Sequence, residues 1–523
     1  MYKNIVEPVG GLWLIRYADV KPVAPLYVVS SIGGRRETIK EDDFRHNIYQ
    51  DTMRPDDTLI AHLQFHLRHE VVHFELLYRV FQKVGGSDIQ AWVNTEPTGQ
   101  YARRCAFLYE WLTNDKLMVP KNIGGNYANA LDAKKLVTSD PAQIIKNTRW
   151  RINDNVAGTP DLCPMLVKTD KFNHAIDINI SDMLNELNRE FGEDLLMRAS
   201  VWMTLRESRA SFAIEGEGQA VKRIERFADV MARRTGQDEI PLTAESLAEL
   251  QQQILGDKSI IEHYGVRQSP VFVGQTEIRG LKEVVHYIAP PADDVIPKLD
   301  GLMAFMTKTG AQSSVMRSAV ASFAFIYIHP LADGNGRVHR FLINDILRRD
   351  GVMSEPIILP ISQAIAEHAS DRHAYDNILD NLSKPLMQAL RGHYSFNENP
   401  IRYLDGIYSN LNFTATEMAQ PVWRFMDLTP HVQYLSKIIH HVIVHDMHQE
   451  SSYLKQHDHA RSQIKEVIEM PNDYADRIIR SVLNNKGDKS NKLLKEFTFL
   501  ADDDVWQQIR DIVVTTFVDE INS

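Results

Sequence analysis

The stretch "HPLADGNGRVHR", residues 329–340, brings a histidine, an aspartate, a Gly-Asn-Gly triplet and two arginines together in one short segment. An apolar run, "AVASFAFIYI", leads into it, and Pro330 disfavours continuation of a helix through His329. We predict that "ADGNG" forms a loop, because glycine and asparagine tolerate the positive φ of a tight anion-binding turn. The following "RVHRFLINDILRR" resumes helical spacing, so the sequence predicts a helix–loop–helix.

These residue types are typical of phosphate chemistry when they occur in this order. The N-terminal end of the second helix presents free backbone N–H groups that bind phosphate. Arg337 and Arg340 are three residues apart on its first turn and can reach the same side. Asp333 beside a bound phosphate is a natural ligand for Mg²⁺, and His329 is able to take a proton from an attacking hydroxyl. This fixed register favours a catalytic loop over an ordinary turn between two helices.

The same stretch closely resembles the signature of the Fic domain, H-x-F-x-[D/E]-G-N-G-R-x-x-R. Every polar position is matched, and Leu331 stands where the family usually has phenylalanine as an apolar anchor. The resemblance extends from the helix near 185 to about 395. It includes "YGVRQSPVFVG" at 264–274, which we expect to form a strand or hairpin similar to the family's flap for aligning a target peptide.

The resemblance implies a role for each residue of the motif. Members of the family mostly transfer AMP from ATP to protein hydroxyls, with a histidine as general base for Ser, Thr or Tyr, an acidic metal ligand, and a phosphate-binding set. In this sequence these are His329 as base, Asp333 as Mg²⁺ ligand, and Gly334, Asn335, Gly336, Arg337 and Arg340 around ATP. The implied activity is that of an ATP- and Mg²⁺-dependent protein adenylyltransferase.

A second segment, "SFAIEG" at 211–216, ends a long predicted helix over 181–213. Alone, a glutamate before a glycine is an ordinary helix C-terminus. The segment is similar to the family's inhibitory motif, [S/T]-x-x-x-E-[G/N], with matches at Ser211, Glu215 and Gly216. The resemblance implies an inhibitory helix near 200–216, in which Glu215 pairs with Arg340 and leaves ATP in a non-reactive pose.

A rival pattern lies near the N-terminus. "HEVVH", residues 69–73, fits the H-E-x-x-H pattern of zinc peptidases, and helical periodicity runs from Asp56 to about Val84. The candidate ligands in this region are His62, His66, His69 and His73 along one predicted stripe, with Glu70 within the motif and Glu96 as a third-ligand candidate. A structural or solvated histidine face is the competing interpretation. A zinc metallohydrolase acting through His69, Glu70 and His73 remains an open alternative.

Composition limits the class of protein. The chain has 523 residues, 44% of them hydrophobic and 24% charged, with a formal net charge of −11. This charge argues against dedicated nucleic-acid binding. The two cysteines, Cys105 and Cys163, cannot form a disulfide framework. We expect a cytoplasmic protein with no membrane partner, because the sequence shows neither a signal-peptide pattern nor an 18-residue apolar run.

The expected fold is mainly α. We predict an N-terminal mixed α(+β) domain over 1–150, a linker over 151–180, a Fic-type helical core over 181–400 and a C-terminal helical domain over 401–523. The predicted partner is a protein target of AMP transfer, which includes the protein itself, and a homo-oligomer is left open. Besides the zinc enzyme, the open alternatives are a Fic enzyme with another nucleotide or transferred group and a non-catalytic interaction scaffold.

Overall fold

A computed structural model describes residues 5–256, 261–277 and 282–518 of the protein. The fold is mainly α, as the sequence predicts, and its strands form small sheets and hairpins. The chain divides into two compact units. The first comprises Met1–Ile178, Glu207–Ser354 and Ile361–Ile439, and the second comprises Asn179–Arg206, Glu355–Pro360 and His440–Ser523.

The N-terminal part of the first unit packs helices beside a small sheet. Its elements are β1 (Pro8–Val9), α1 (Gly11–Ala18), β2 (Val28–Ile32), β3 (Glu37–Glu41), β4 (Phe44–Tyr49), α2 (Leu59–His69), α3 (Phe74–Val84), α4 (Ser87–Thr95) and α5 (Gln100–Thr113). The strand order is β1-β2-β4-β3, with β2 and β4 parallel and the other pairs antiparallel. Leu63, Leu77 and Leu108, from α2, α3 and α5, are fully buried in one shared core.

A second small sheet follows, made of β5 (Ala128–Asn129), β6 (Ile145–Asn147) and β7 (Ile152–Asp154) in the order β5-β7-β6. The segment expected to be a linker, 151–180, contains β7 and α6 (Asp170–Ile176). It also buries Val156, Leu162 and Leu166 almost completely. The part of this segment that contains Gly and Pro forms bends, while the apolar residues around these bends pack into the first unit.

The middle of the chain is a series of helices interrupted by one hairpin. Its elements are α7 (Ile180–Phe191), α8 (Glu193–Ile214), α9 (Val221–Arg234), α10 (Ala244–Leu255), β8 (Phe272–Glu277), β9 (Lys282–Ile288), α11 (Val295–Lys308), α12 (Ser314–Ile328), α13 (Asn335–Arg349), α14 (Ile361–Ala366) and α15 (Ala369–Ala389). The single helix predicted over 181–213 is divided at Gly192, which has a φ of 84°. Thr243 directly precedes "AESLAEL", where the sequence predicts a helix N-cap, and its reciprocal pair with Ser246 confirms that prediction.

Helices α12 and α13 form the centre of the first unit. Val320, Phe325, Leu342 and Ile346 are completely buried, and α12 is apolar on nearly all sides. A helix of this kind is stable only when neighbours surround it. The loop of residues 329–334 therefore starts and ends on two buried helices, α12 and α13.

The hairpin lies later in the chain than predicted. Strand β8 begins at Phe272 and pairs with β9 in antiparallel register, whereas 264–271 is an extended segment that bridges to Leu331 through Val266. The strand or hairpin predicted at 264–274 is thus confirmed for 272–274, which begin β8, and wrong for 264–271, which precede the strand. Residues 278–281, between the two strands, lie outside the described ranges.

A further hairpin interrupts the region predicted to be helical from residue 401. It consists of β10 (Tyr394–Arg402) and β11 (Tyr408–Phe413), and the helices α16 (Thr416–Arg424) and α17 (Thr429–His441) follow it. Alternating apolar residues of the hairpin pack against β9, for example Leu411 beside Val285 and Ile288. This packing against another strand explains why the segment is extended.

The second unit has its own helical core. Its C-terminal helices are α18 (His448–Val467), α19 (Asn472–Asn484), α20 (Asn491–Glu496) and α21 (Asp503–Thr516). Ile464, Ile478 and Ile509 are fully buried between them. Across the described parts of the chain, we find no helix with the length and apolar character needed to cross a membrane.

Candidate active site

Helix α12 positions His329 at its C-terminal end. The helix ends there because His329 has a φ of 52°, in the left-handed region, and Pro330 has no N–H to donate. The His329 N–H donates to the Phe325 carbonyl oxygen at 2.9 Å and closes the last turn. A left-handed conformation costs a residue with a Cβ about 1–2 kcal/mol, and such strain is concentrated at functional sites.

The imidazole of His329 is held in one tautomer. Its Nδ1 lies 3.2 Å from the Ile326 carbonyl oxygen, and a carbonyl can only accept, so Nδ1 carries the hydrogen. Burial, together with the nearby Arg267 guanidinium, lowers the pKa of His329 to about 4. The ring is therefore neutral at pH 7, and the lone pair of Nε2 is able to accept a proton.

The loop after His329 is fixed by the Asn335 side chain. Its Oδ1 accepts from the Leu331 N–H at 2.9 Å, and its Nδ2 donates to the Leu331 carbonyl oxygen at 2.7 Å. Leu331 is fully buried. It fills the apolar anchoring position at which the signature that this loop resembles usually has phenylalanine. Because the Asn335 carboxamide is engaged in the loop, what this residue offers to a ligand is its backbone N–H at the start of α13.

Two glycines shape the N-terminal end of α13, for different reasons. Gly334 is the N-cap and has a φ of 89°, which a residue with a Cβ rarely adopts. At Gly336, a Cβ would lie only 2.5 Å from Oε1 of Glu215. The absent side chain thus allows a carboxylate to approach the first turn of α13, where backbone N–H groups have no partner within the helix.

Glu215, just beyond the end of α8, bridges both arginines of the motif. Nε of Arg337 donates to its Oε2 at 2.8 Å, and Nη2 of Arg340 donates to its Oε1 at 2.6 Å. The sequence predicted only the second of these bonds. Burial by itself would raise the pKa of Glu215, but Arg340 and then Arg337 outweigh it and hold the pKa below its usual value. The carboxylate is therefore ionised at neutral pH.

Neighbouring groups complete this charged cluster. Ser211 accepts from Arg340 twice, through Oγ at 2.7 Å and through its carbonyl oxygen at 3.1 Å. The Arg337 guanidinium lies 4.7 Å from the centre of the Phe212 ring and donates to Glu217 at 3.4 Å. Nη1 of Arg337 is buried and has no hydrogen-bond partner among the residues described. The cluster therefore keeps an unused donor beside the helix terminus.

The C-terminal half of α8 makes a further contact through Glu207, and the chain turns directly after Glu215. The Glu207 carboxylate accepts from the backbone N–H of Ser362 at 2.6 Å and from its hydroxyl, at the start of α14. Burial raises the pKa of Glu207 to about 7, although Ser362 and Arg340 act in the opposite direction. Gly216, with a φ of 77°, turns the chain directly after Glu215. The structure thus brings Ser211 and Glu215 to Arg340, and Gly216 forms the turn that follows.

Asp333 is the exposed carboxylate of the loop at 329–334. Its side chain is 52% exposed and lies 4.0 Å from Nη2 of Arg337. The Gly334 N–H donates to its Oδ1 at 2.6 Å, and Gln251 donates to its backbone carbonyl at 2.9 Å. An accessible carboxylate beside a phosphate-binding helix terminus suits a hard cation that also binds phosphate oxygens.

Arg267, which the sequence analysis did not identify, holds the backbone of the loop through hydrogen bonds. Its buried guanidinium donates to the carbonyl oxygens of His329 at 2.7 Å, Ser269 at 2.8 Å and Pro290 at 2.6 Å. Its backbone N–H donates to the Pro330 carbonyl oxygen at 2.9 Å. Burial lowers the pKa of Arg267 to about 10, so the group stays charged at neutral pH. The available signal was one arginine within the otherwise apolar and turn-forming run "YGVRQSPVFVG".

Asp405, in the turn between β10 and β11, is a second missed residue. Its Oδ2 accepts from the backbone N–H groups of Gln268 and Ser269 and from the Ser269 hydroxyl, each at 2.8 Å. It thereby fixes the segment that carries Arg267 and leads into β8. No local pattern identifies this residue, because its partners are more than a hundred positions away in the sequence.

The "HEVVH" histidines do not lie on one helix. Helix α2 ends at His69 and α3 begins at Phe74, so the single helix predicted from Asp56 to Val84 is wrong. His73 caps α3 instead, and its Nδ1 accepts from the Leu76 N–H at 3.1 Å. The one-turn spacing that a zinc peptidase requires of His69 and His73 is therefore absent.

The helix breaks at this point because Glu70 turns inward. Its Oε2 accepts from the Gly11 N–H at 2.7 Å and lies 2.7 Å from Nδ1 of His66. His62 stacks on Trp13 at 3.9 Å, and Glu96 lies at the end of α4. Within the described ranges, no group of three or more His, Cys, Asp or Glu side chains has an arrangement that could hold a metal ion.

Residues 241–347 match a family described as Fic/DOC family. The match contains the whole loop at 329–340 and begins after Glu215. Two structures solved by crystallography are similar over longer stretches. A Fic family protein from Desulfovibrio desulfuricans G20 is 18% identical with a TM-score of 0.37, covering 58% of this chain and 81% of that one. A Fic domain containing signaling protein from Bacteroides thetaiotaomicron VPI-5482 is 19% identical with a TM-score of 0.35, covering 53% and 98%.

Curated relatives match about a quarter of the chain. Protein adenylyltransferase fic-1 of Caenorhabditis elegans is 28% identical over 145 residues, which are 28% of this chain and 26% of that protein. Protein adenylyltransferase Fic of Drosophila melanogaster is 29% identical over 126 residues, which are 24% of this chain and 23% of that protein. The chain thus spans about a quarter of the length of the curated relatives it matches.

Arg267→Met should destabilise the protein, because it leaves buried carbonyl oxygens of His329, Ser269 and Pro290 without donors. We expect a loss of about 1–3 kcal/mol in the free energy of unfolding, measured as a lower thermal-unfolding midpoint. Arg36→Met, at an exposed arginine, serves as the control and should leave the midpoint unchanged. Equal midpoints for the two variants would contradict a supporting role for Arg267.

Proposed function

We propose, from the premise that this chain contains a Fic domain over residues 241–347, that the protein transfers AMP from ATP to a hydroxyl group of a protein. The observation that carries the proposal is the Glu215 carboxylate, which Arg337 and Arg340 hold at the start of α13. A carboxylate there occupies a position suited to phosphate, since it accepts charge-assisted hydrogen bonds at a helix N-terminus. The neutral His329 lies on the loop that leads into the same helical turn.

The charges of this cluster favour a polyphosphate over a single carboxylate. Both guanidinium groups and the partial positive charge at the N-terminal end of α13 converge on the position of Glu215, whereas Glu217 and Asp333 contact only Arg337, at 3.4 and 4.0 Å. Nη1 of Arg337 is buried and has no acceptor among the described residues, so it is available to a phosphate oxygen. These features support a nucleoside triphosphate as the donor.

The transfer step assigns a separate task to each group. The acceptor hydroxyl oxygen forms a bond to the α-phosphorus of ATP, the bond to the bridging oxygen breaks, and pyrophosphate leaves. The hydroxyl proton passes to Nε2 of His329, which the Ile326 carbonyl keeps free by holding the hydrogen on Nδ1. Arg337 and Arg340 compensate the charge that develops on the departing pyrophosphate.

We assign the Mg²⁺ site to Asp333. The residues present fit such an ion, because an accessible carboxylate stands next to the groups that we assign to phosphate. A bound Mg²⁺ would neutralise phosphate charge. The protein's own contribution is to hold the Asp333 backbone in place, which Gln251 does through the hydrogen bond to its carbonyl oxygen.

We infer that Glu215 restrains the activity. As long as its carboxylate accepts from Arg337 and Arg340, these donors are unavailable to the terminal phosphates of ATP. Ser211 and Glu207 hold α8 in the position that makes this contact. The partner of the reaction is a protein bearing an accessible hydroxyl, which includes a second copy of this chain or the chain itself.

His329→Ala should abolish AMP transfer while ATP still binds, because the imidazole acts on the acceptor hydroxyl and not on the phosphates. We expect a fall of at least about a hundredfold in AMP incorporation, measured by mass spectrometry of the protein after incubation with ATP. Nucleotide binding, measured by calorimetry, should be retained. His263→Ala, at an exposed histidine, is the matched control. Transfer at the wild-type rate in His329→Ala would remove His329 from the role of base.

Asp333→Ala should eliminate Mg²⁺-dependent turnover, because we assign no other carboxylate of the loop to the ion. The measurement is AMP incorporation across a Mg²⁺ titration, with the exposed Asp300→Ala as control. If the titration curve of Asp333→Ala matched that of the wild type, the ion would have to bind at other residues.

Glu215→Gly should raise AMP transfer, including self-modification, well above the wild-type level. A hydrogen bond between charged groups contributes about 1.5–3 kcal/mol, so its loss should raise the productive population about tenfold to a hundredfold. The readout is the initial rate of AMP incorporation with labelled ATP. An unchanged or lower rate would make Glu215 a structural residue and the inhibitory assignment wrong.

Two further variants separate inhibition from a general loosening of α8. Arg340→Ala in the Glu215→Gly background should cancel the gain, because both effects act through the same guanidinium. Glu217→Ala removes a 3.4 Å contact with Arg337 and a 3.0 Å ion pair with Arg223, neither of which involves Arg340, and should change the rate much less than Glu215→Gly. If Glu217→Ala activated as strongly as Glu215→Gly, activation would reflect mobility of the segment and not the release of Arg340.

A further inference from the structure

Helix α8 carries an exposed apolar stripe that the proposed activity does not use. Its four members are Met197 at 47%, Val201 at 61%, Trp202 at 55% and Leu205 at 37% exposed. Their spacing of four, one and three residues places them on one side of the helix. Leu196, Ala199 and Met203, on the opposite side, are buried, so α8 is a packed helix whose outer face is left uncovered.

Such a stripe is a signature of an interface. Single exposed apolar residues are common on protein surfaces, but contiguous patches mark sites of interaction. Tryptophan is also the residue type most enriched among those that dominate binding energy. The centre of the stripe, Val201 and Trp202, is therefore the expected centre of a contact.

The charges at the two ends of the stripe are of opposite sign. Asp194, seven positions before Val201, has a side chain that is 92% exposed. Arg209, seven positions after Trp202, is exposed and has no ion pair or hydrogen bond among the residues that the structure describes. The stripe is thus acidic at one end, apolar in the middle and basic at the other end.

The other arginines on this face are already compensated. Arg198 donates to both carboxylate oxygens of Asp458, at 2.7 and 2.9 Å. Arg206 pairs with Glu450 at 2.6 Å. These arginines would therefore add little repulsion to a contact that covers the stripe. Asp194 lies 3.8 Å from Nη1 of Arg198 but keeps a carboxylate that is 92% exposed, so the exposed charges of Asp194 and Arg209 at the two ends determine what the stripe can bind.

We propose that α8 packs against α8 of a second copy of this chain, antiparallel and about a two-fold axis near Val201 and Trp202. In an antiparallel pair, residues at equal distances from the centre face one another. Asp194 of each copy then faces Arg209 of the other, and Met197 of each copy lies near Leu205 of the other. A two-fold contact requires this self-complementarity, whereas parallel packing would oppose like charges.

The first test measures the mass of the full-length chain by analytical ultracentrifugation over a dilution series. We expect a dimer that dissociates on dilution. Trp202→Glu should raise its dissociation constant at least about thirtyfold, because a central tryptophan contributes 2 kcal/mol or more. Leu404→Glu changes an exposed leucine (80%) outside α8 and should leave the dimer unchanged.

The second test examines the antiparallel arrangement. Asp194→Arg and Arg209→Asp should each weaken the dimer by roughly threefold to tenfold, since each places like charges opposite one another. The double variant, Asp194→Arg with Arg209→Asp, exchanges the charges and should restore the wild-type dissociation constant. Circular dichroism of every variant checks that α8 stays folded.

Each contrary result overturns the proposal. A chain that is monomeric throughout the dilution series has no such contact. A dimer that is indifferent to Trp202→Glu is formed elsewhere on the surface. A double charge exchange that fails to restore association excludes the antiparallel pairing of Asp194 with Arg209.

Discussion

Two buried arginines, about one helical turn apart, create the constraint on which the candidate active site depends. Arg337 and Arg340 project from the first two turns of α13, and their side chains are only 4% and 2% exposed. Two like charges cannot be taken out of water together without a counter-charge, because desolvation and mutual repulsion act in the same direction. Glu215 supplies that counter-charge, and the absence of a side chain at Gly336 leaves room for it. Glu217 at 3.4 Å and Asp333 at 4.0 Å add weaker contacts to Arg337 alone, so Glu215 is the carboxylate that both arginines share.

The loop at 329–334 is held by different means from the charged cluster beside it. Arg267 and Asn335 bind the loop mainly through its backbone, and both lie almost entirely out of water. Glu215 is attached through side chains from a separate helix. In the proposed mechanism, this separation allows the anion at α13 to change while His329 keeps its tautomer and position. Asp405 extends the rigid part to the segment that leads into β8.

Two short motifs in this chain illustrate when a pattern predicts geometry. The loop at 329–340 was predictable because each feature depends on near neighbours: Pro330 blocks helix continuation, Gly334 permits a positive φ, and the two arginines share a turn. The pattern at 69–73 presupposes that a helix continues through it. The helix stops there because Glu70 binds the backbone of Gly11, which is 59 residues earlier. The sequence matches the pattern of a zinc-binding helix, but the contact between Glu70 and Gly11, which are far apart in the sequence, ends the helix.

The sequence by itself determined the mainly helical class, the helix–loop–helix around His329 and the cap at Thr243, since these follow from propensities and hydrogen bonds within a few residues. Its spacing at 211–216 also indicated a contact between Glu215 and Arg340. Tertiary structure alone decided that this glutamate binds Arg337 as well, and that the hairpin begins at Phe272. It also brought Arg267 to the carbonyl oxygen of His329, 62 residues away along the chain, and Asp405 to Ser269, 136 residues away. A buried charge is satisfied by whichever group the packing of helices brings near it, and that proximity is set by the whole core, not by any local pattern of residues.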